Sequence, residues 1–566
     1  MDIINKIREW FSRGEKNKLD DVILDDVSDI DPDILDFKEN SDLNIPSYIL
    51  VMLSRSGYYA LLPENLDVDA HIGEYPPLEN GFDEAKYGLR FDKEKIIYIL
   101  GLLSSIPARN KDLIGDDDFV PINAEYLNRF MRDYRLYFDY LENTGVIECN
   151  KSYKSSTPNE RGYSRSYKWS DKYIDAELEP YYYARAFDKK GNLKAIDSII
   201  KNNRDGNNEN QLRHCPYLSY WYEQKKLKID INRAKLYAKN LKEKKVKQNI
   251  DQWDLNKNTG KRKNPSLQYN SFRYNLEALK IHDYKAMIDT NVHRLHSVLT
   301  NMQKDYRNFI TYDGEPLVAV DIKNSQPYLA CLLFNPEFWR ENSNLPINLF
   351  NLPDNIKQSF LHKYPTRESL PIMLGNLLNN LPDGTFDEYK KVVASGEIYE
   401  TIKEWVKNEK DIEISRGTAK TTMFQILFSS NANNPEDENY WLKQYYEEKF
   451  PSVMKVFKTI KRIYSDLKIE RQYARLACLL QAIESEIILH RCCKRIWDEA
   501  PQQVPIFTIH DSIVTTIGQE GYVYAIMKEE LEECIGVSPE MKFEYWNINN
   551  GDLDAEIIEK TLLSTE

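Results

Sequence analysis

The chain has 566 residues, 42% of them hydrophobic, and a formal net charge of −13. That length allows several domains with sizeable cores, and no uninterrupted apolar run reaches membrane-spanning length, so no membrane partner is expected. The first residues lack the basic-then-apolar layout of a secretory signal and the seven cysteines form no C-x-x-C pair, which predicts a cytoplasmic protein with reduced thiols.

Residues 1–85 read as an acidic leader, partly flexible. A short amphipathic helix is followed by residues 20–42, which hold ten acids and one Lys. Such a run is commonly a solubilising, unfolded segment; an acidic tail also mimics nucleic acid over a basic channel.

Residues 86–172 carry helical patterns over 94–105, 122–131 and 133–143, the last stopped by Gly145. β-Runs over 146–149 and 164–169 then flank a polar loop with Lys151, Lys154 and Arg161. Three helices and a basic hairpin are the order of a winged helix-turn-helix, which sets its third helix in a DNA groove and its wing on the backbone. The same fold also serves as packing against other protein.

Residues 173–290 are rich in Tyr, Lys and Asn, with helical pattern around 222–247. From 221 to 274, fifteen Lys or Arg stand against five acids, a local +10, while the acidic run 20–42 contributes −9 of the total −13. The net charge therefore hides a basic block of the kind that meets phosphates, with a solvated helix face as the competing reading.

Residues 291–566 hold the chemistry. Arg294 lies in a segment from Asn291 to Asn301, and Arg307 follows. An apolar β-run from Leu317 to Val320 ends in Asp321, followed by Ile322, Lys323, Asn324, Ser325 and Gln326. Arg416, Lys420, Phe424 and Phe428 recur at four-residue spacing, which on a helix makes one stripe of two cations and two rings. Cations suit a triphosphate and rings suit a base. Apolar residues 504–509 then reach His510 and Asp511, and Ser512 opens a second apolar run, the pattern of a tight hairpin projecting a carboxylate beyond the sheet edge. Alone, each aspartate is as readily a turn or capping residue; together they are the anchors of one metal site.

In this order the chain resembles the palm and fingers of family A DNA polymerases and, more distantly, the single-subunit phage-type RNA polymerases, over roughly residues 291–537. Asp321 resembles the aspartate of motif A, the Arg416 to Phe428 stripe motif B, and His510 with Asp511 motif C. The segments from Ser395 to Tyr399, Gln444 to Val453 and Arg475 to Glu486 are similar to the landmarks between them. The implied fold is an α+β right-hand polymerase (palm, fingers, thumb) with an N-terminal winged helix-turn-helix-like module; 173–290 is then a thumb-like basic helical region and 291–566 the palm and fingers. No acidic exonuclease motif is found ahead of the thumb-like region, so proofreading is not expected.

The resemblance implies template-directed nucleotidyl transfer to a primer 3′-hydroxyl with two Mg2+ ions, for which Mn2+ substitutes. Asp321, Asp511 and the Ile322 carbonyl are the implied metal ligands, and Asp321, Asp511 and Lys420 the catalytic residues. Arg416, Lys420, Phe424, Phe428 and Gln326 are assigned to the incoming nucleoside triphosphate, and Arg294, Gln481 and His510 to a primed template of DNA. Replication of a phage or mobile element is a fitting setting.

The departures leave an alternative open. Ser512 stands where DNA polymerases have Glu and is the RNA-polymerase form, favouring a single-subunit DNA-directed RNA polymerase or a primase-like enzyme; Phe424 and Gln326 favour DNA synthesis. A catalytically inactive, polymerase-like DNA-binding regulator is disfavoured by the presence of both aspartates and both fingers cations. Gln326 replaces the Glu that crowds a ribose 2′-hydroxyl, and Phe428 lacks the hydroxyl that would hold such a gate. A leaky sugar gate is expected.

Overall fold

Leu317, Val318, Ala319 and Val320 are apolar on both faces of one strand, a run that is stable only where both faces are covered. In the computed structural model, which describes residues 59–109, 118–128, 131–154, 162–182, 211–248, 264–361, 368–431, 439–462, 472–549 and 553–563, all four are buried at the centre of a six-stranded antiparallel sheet. Each such valine or leucine contributes about 1.5–3 kcal/mol when fully buried. The protein is of mixed α+β class. Among the described residues no helix is long and apolar enough to cross a membrane.

The described chain begins with β1 (Tyr59–Pro63), five buried residues, followed by α1 (Lys93–Arg109), β2 (Val120–Pro121), α2 (Ala124–Asn128), α3 (Tyr134–Asn143), β3 (Ile147–Cys149) and β4 (Ser166–Trp169). β5 (Leu178–Tyr182) returns antiparallel to β1. In α3, Tyr134, Tyr137, Phe138 and Leu141 share one buried face at helical spacing. Gly145, with φ +68°, turns the chain out of that helix. The three helices and the β3–β4 hairpin stand in the order read from the sequence; β2, which adds a third strand beside β4, was not anticipated.

The expected boundaries at 85 and 172 are crossed by packing. Residues 59–85 are not a leader, because β1 lies in the core and the Tyr59 hydroxyl donates to the Tyr274 carbonyl at 2.6 Å. Further along, Asn275 Nδ2 donates to the Ala108 carbonyl at 3.5 Å, so α1 shares its core with the thumb-like region. The acidic run 20–42, Arg161 and residues 249–263 of the basic block lie outside the described residues.

α4 (Pro216–Glu223), β6 (Leu227–Ile229), α5 (Ile231–Gln248) and α6 (Pro265–Lys280) lead to β7 (Met287–Ile288), β8 (Leu295–His296), β9 (Ile310–Tyr312) and the central β10 (Glu315–Ile322). Then come α7 (Ser325–Leu329), α8 (Leu370–Asn379), α9 (Asp387–Ala394), α10 (Ile398–Lys410), α11 (Arg416–Phe428), α12 (Tyr440–Lys449), α13 (Pro451–Ile460) and α14 (Arg475–Ser485). α14 continues into a π-helical stretch, Glu486–Cys493, before β11 (Phe507–Ile509), β12 (Ser512–Thr516), α15 (Glu520–Ile535) and β13 (Met541–Trp546). The sheet order is β11-β12-β10-β9-β6, with β13 also paired to β10. β10 thus has β12 and β13 for neighbours, and Asp321 stands opposite Ser512 on one and Lys542 on the other. The apolar side of α15, with Val523, Met527 and Leu531, packs on the sheet.

The loop after Asp321 is fixed from α9. Gly396, one residue beyond the Ser395 cap, has φ +76°, and a Cβ there would stand 2.6–2.7 Å from the Lys323 side chain. Gly396→Ala is therefore expected to cost roughly 1–2 kcal/mol from the left-handed backbone, and more from the contact. Gly375→Ala, inside α8 with nothing within 4 Å, is expected to stabilise by about 0.5–1 kcal/mol. Urea unfolding of the two variants checks the opposite signs.

Candidate active site

Asp321 leaves β10 at the point where its apolar run ends, and Asp511 occupies a two-residue turn between β11 and β12, whose last pair is Ile509 with Ser512. The turn has a strained geometry, since His510 takes φ +54°, a left-handed value that is uncommon for a residue with a Cβ. The sheet register brings the two aspartates together. Burial pushes Asp321 up to about 6, and repulsion from Asp511 adds to this, against the pull of Lys542. Burial also raises Asp511, opposed first by a hydrogen bond from Ser325 and then by Arg294 and Lys420.

Three cations answer this charge from three directions. Lys542 Nζ lies 3.1 Å from Asp321 Oδ2 across the β10–β13 pair. Lys420 comes from α11, where burial and Arg416 push its amine down while Asp511 and Asp321 hold it up. Arg294 approaches from the β7–β8 ribbon and acts on both Asp511 and His510.

α11 is started by Ser415, whose hydroxyl accepts from the Thr418 amide at 2.9 Å. Ala419, Met423, Ile426 and Leu427 are its buried side, which leaves Arg416, Lys420, Phe424 and Phe428 as a stripe on the other. The Phe424 and Phe428 rings stack at 5.4 Å and 14°, and Lys420 Nζ is 5.5 Å from the Phe424 ring centre. Arg416, half exposed, pairs with Glu400 at 2.5 Å and sits over the Tyr399 ring at 5.3 Å.

The remaining predicted residues fall into two groups. His510 is partly buried, its Nδ1 has no hydrogen-bond partner among the described residues, and burial together with Arg294, His296 and Arg307 pushes it down to about 4; it is neutral at pH 7. Ile322 is the last residue of β10, beside Asp321. Gln481 stands half-buried on α14. Arg294, expected to face the primer end, is largely buried and engaged with Glu484 at 2.6 Å. Gln326 is not loose: its Nε2 donates to the same Glu484 at 2.5 Å. The Ser512 hydroxyl is taken up locally, donating to the Ile509 carbonyl at 2.9 Å.

Glu484, Lys542 and Arg307 were not singled out for this site by the sequence. Glu484 had a signal, because Leu480, Ile487 and Ile488 lie at helical spacing around it, and an acid on such an apolar face has to find buried partners. Burial raises it to about 8, opposed by Arg294 and by its hydrogen bonds from Arg294 and Gln326. Lys542 alternates with exposed aromatics on β13 and carried no signal. Arg307 is half-buried close to Glu544 and Asp321, 5.8 Å from the Trp546 ring centre.

The basic block meets protein acids at several points. Lys226 pairs with Asp313, Lys235 with Glu177 and Glu179, Lys244 with Asp554 and Glu556, and the buried Arg273 with Glu177 and Glu179. Lys235 and Lys244 tie down α5, and Arg273 ties down α6. On the β3–β4 hairpin Lys168 pairs with Glu148 and Lys151 lies 3.9 Å from Glu142, yet Lys151, Tyr153, Tyr163 and Arg165 are exposed, with Arg165 over the Tyr153 ring at 5.4 Å.

No protein family matches the chain, and no curated protein does. Among solved structures, the POL domain of Pol1 from M. smegmatis, in complex with DNA primer-template and dNTP, is similar at 15% identity over 50% of this chain and 53% of that one, with a TM-score of 0.23. The chain spans about half the length of that structure, and a likeness at that TM-score carries no inference.

A carboxyl raised from 3.8 to about 6 stands for about 3 kcal/mol of folding free energy. The folded state holds this proton more tightly than the unfolded chain, so stability is lost as pH rises from 4 through 6. With divalent ions chelated, Asp321→Asn is expected to be neutral near pH 4 and stabilising by up to about 3 kcal/mol at pH 8. Urea unfolding across that range measures it; a destabilised variant at pH 8 would contradict the repulsion.

Proposed function

We propose that the protein is a template-directed DNA polymerase that joins a nucleoside triphosphate to a primer 3′-hydroxyl, without proofreading. One observation carries the reading: two partly buried carboxylates, one near the end of β10 and one in the β11–β12 turn, are faced by a helix whose single stripe presents Arg416, Lys420 and two stacked rings.

The donor set supports two Mg2+ ions. The protein would supply Asp321, Asp511 and the Ile322 carbonyl; among the described residues no group of three or more His, Cys, Asp or Glu side chains is placed to hold a metal. Hard oxygens few in number suit a small dication that keeps water and takes phosphate oxygens. The mutual repulsion of the two aspartates is the charge such ions would neutralise. When bound, they would stabilise charge on the attacking and leaving oxygens.

The chain's own residues do the rest. Lys420 and Arg416 meet the phosphates, Lys420 as a point charge already drawn towards both aspartates and Arg416 by its planar fork. Phe424 and Phe428 offer a face to the base and sugar. Neutral His510 adds no charge beside the primer end, and Gln326 stands at the sugar. Ser512, the residue that favoured an RNA polymerase, is occupied by its own hairpin.

Asp321→Ala and Asp511→Ala are each expected to bring extension of a primed template to background while duplex binding survives, and Lys420→Ala to lower nucleotide kcat/KM by roughly 10²-fold. Extension is followed with deoxynucleotides and ribonucleotides separately in Mg2+. Substantial extension by either aspartate variant removes the assignment.

We further propose that the β3–β4 hairpin touches the DNA backbone, supported by its exposed Lys151 and Arg165 and their aromatic neighbours. Replacing both cations with Ala should weaken duplex binding at low salt and reduce the slope of log affinity against log salt by about one per phosphate lost. An unchanged slope would leave the hairpin a packing or protein-binding surface.

A further inference from the structure

Gln326 sits in the first turn of α7 and is 5% exposed. Its Nε2 donates at 2.5 Å to Oε2 of Glu484, a residue of α14 that is itself 1% exposed. Arg294 Nη2 donates to the same oxygen at 2.8 Å and lies 2.6 Å from Oε1. With Arg294 against both of its oxygens, Glu484 turns acceptor oxygens to the amide, so Gln326 presents its nitrogen and its orientation is fixed by chemistry as well as by space. The helix around it is tied down too. Ser325 bonds Asp511, the Pro327 carbonyl accepts from the Tyr389 hydroxyl at 3.1 Å, and the Tyr328 hydroxyl donates to the Val537 carbonyl at 2.7 Å.

We propose that Glu484 is the positioning residue for sugar selection, holding Gln326 as a fixed wall beside Asp321 in place of the hydroxyl that Phe428 lacks. The proposal rests on the polymerase reading, in which Gln326 meets the sugar of the incoming nucleotide. It reverses the expectation of a leaky gate. A side chain pinned at its tip resists a 2′-hydroxyl better than one that swings aside, and the pin comes from a different helix than the one carrying Phe428.

Single-nucleotide insertion on a primed DNA template in Mg2+, with paired deoxy and ribo substrates, tests this. Glu484→Ala is the direct variant, but it leaves the Arg294 charge without its partner and risks the fold. Two double variants avoid that: Arg294→Met with Glu484→Gln, which keeps an acceptor for the Gln326 amide, and Arg294→Met with Glu484→Met, which has none. The ratio of deoxy to ribo kcat/KM should be about tenfold lower in the second than in the first, the worth of one hydrogen bond. With Gln326→Ala added to both, the difference should vanish. A difference that persists there, or equal ratios in the two doubles, overturns the role of Glu484. Unsubstituted protein that inserts deoxynucleotides but discriminates no better than the Glu484→Met double overturns it as well and leaves the polymerase reading standing. Unsubstituted protein that inserts neither sugar overturns both.

Discussion

Asp321 and Asp511 are carried by neighbouring strands into a partly buried place where water screens them poorly. Burial alone disfavours their charge, and each makes it worse for the other. A pair like this persists only where the surrounding structure determines it several times over. Here the sheet does so: β10 is held by β12 and β13, so neither aspartate can move without the register of three strands. The left-handed His510 is a local cost of that placement.

The cations around the pair come from parts of the chain far apart in sequence, and each has a second duty. Lys542 belongs to β13, Lys420 to the face of α11 that its apolar side turns outwards, and Arg294 to a ribbon tied to α14 through Glu484. Burial first, and then the charges of Arg294, His296 and Arg307, keep His510 neutral and spare the site a further cation. Glu484 accepts from Arg294 behind it, so one connected network runs from Asp511 through Arg294 to Glu484 and ends on the neutral amide of Gln326. Such a network is worth more complete than in parts, because any missing member leaves a buried charge alone.

The net acidity of the chain does not describe its surface. Lysines of α5 are matched by acids near the C-terminal end and beside β5, and they fasten helices instead of waiting for phosphate. Exposed cations with aromatic neighbours stand on the β3–β4 hairpin, a smaller surface than the basic block suggested.

Local signals in the sequence were enough for β10, the β11–β12 hairpin and the α11 stripe, because alternation, a two-residue turn and a four-residue period are set by neighbours along the chain. The same holds for α1, α3 and the β3–β4 hairpin. The structure alone decided what those elements meet. Residues 59–85 looked like the continuation of an acidic leader until β5 supplied a partner strand for β1. Gln326 looked loose because its expected partner, a hydroxyl at 428, is absent, and nothing in the residues near it announces Glu484, 158 positions away. Lys542 faces Asp321 only through strand pairing. Element type follows from short-range pattern; compensation of buried charge depends on which side chains the fold brings within a few ångströms, and that is a property of the tertiary structure.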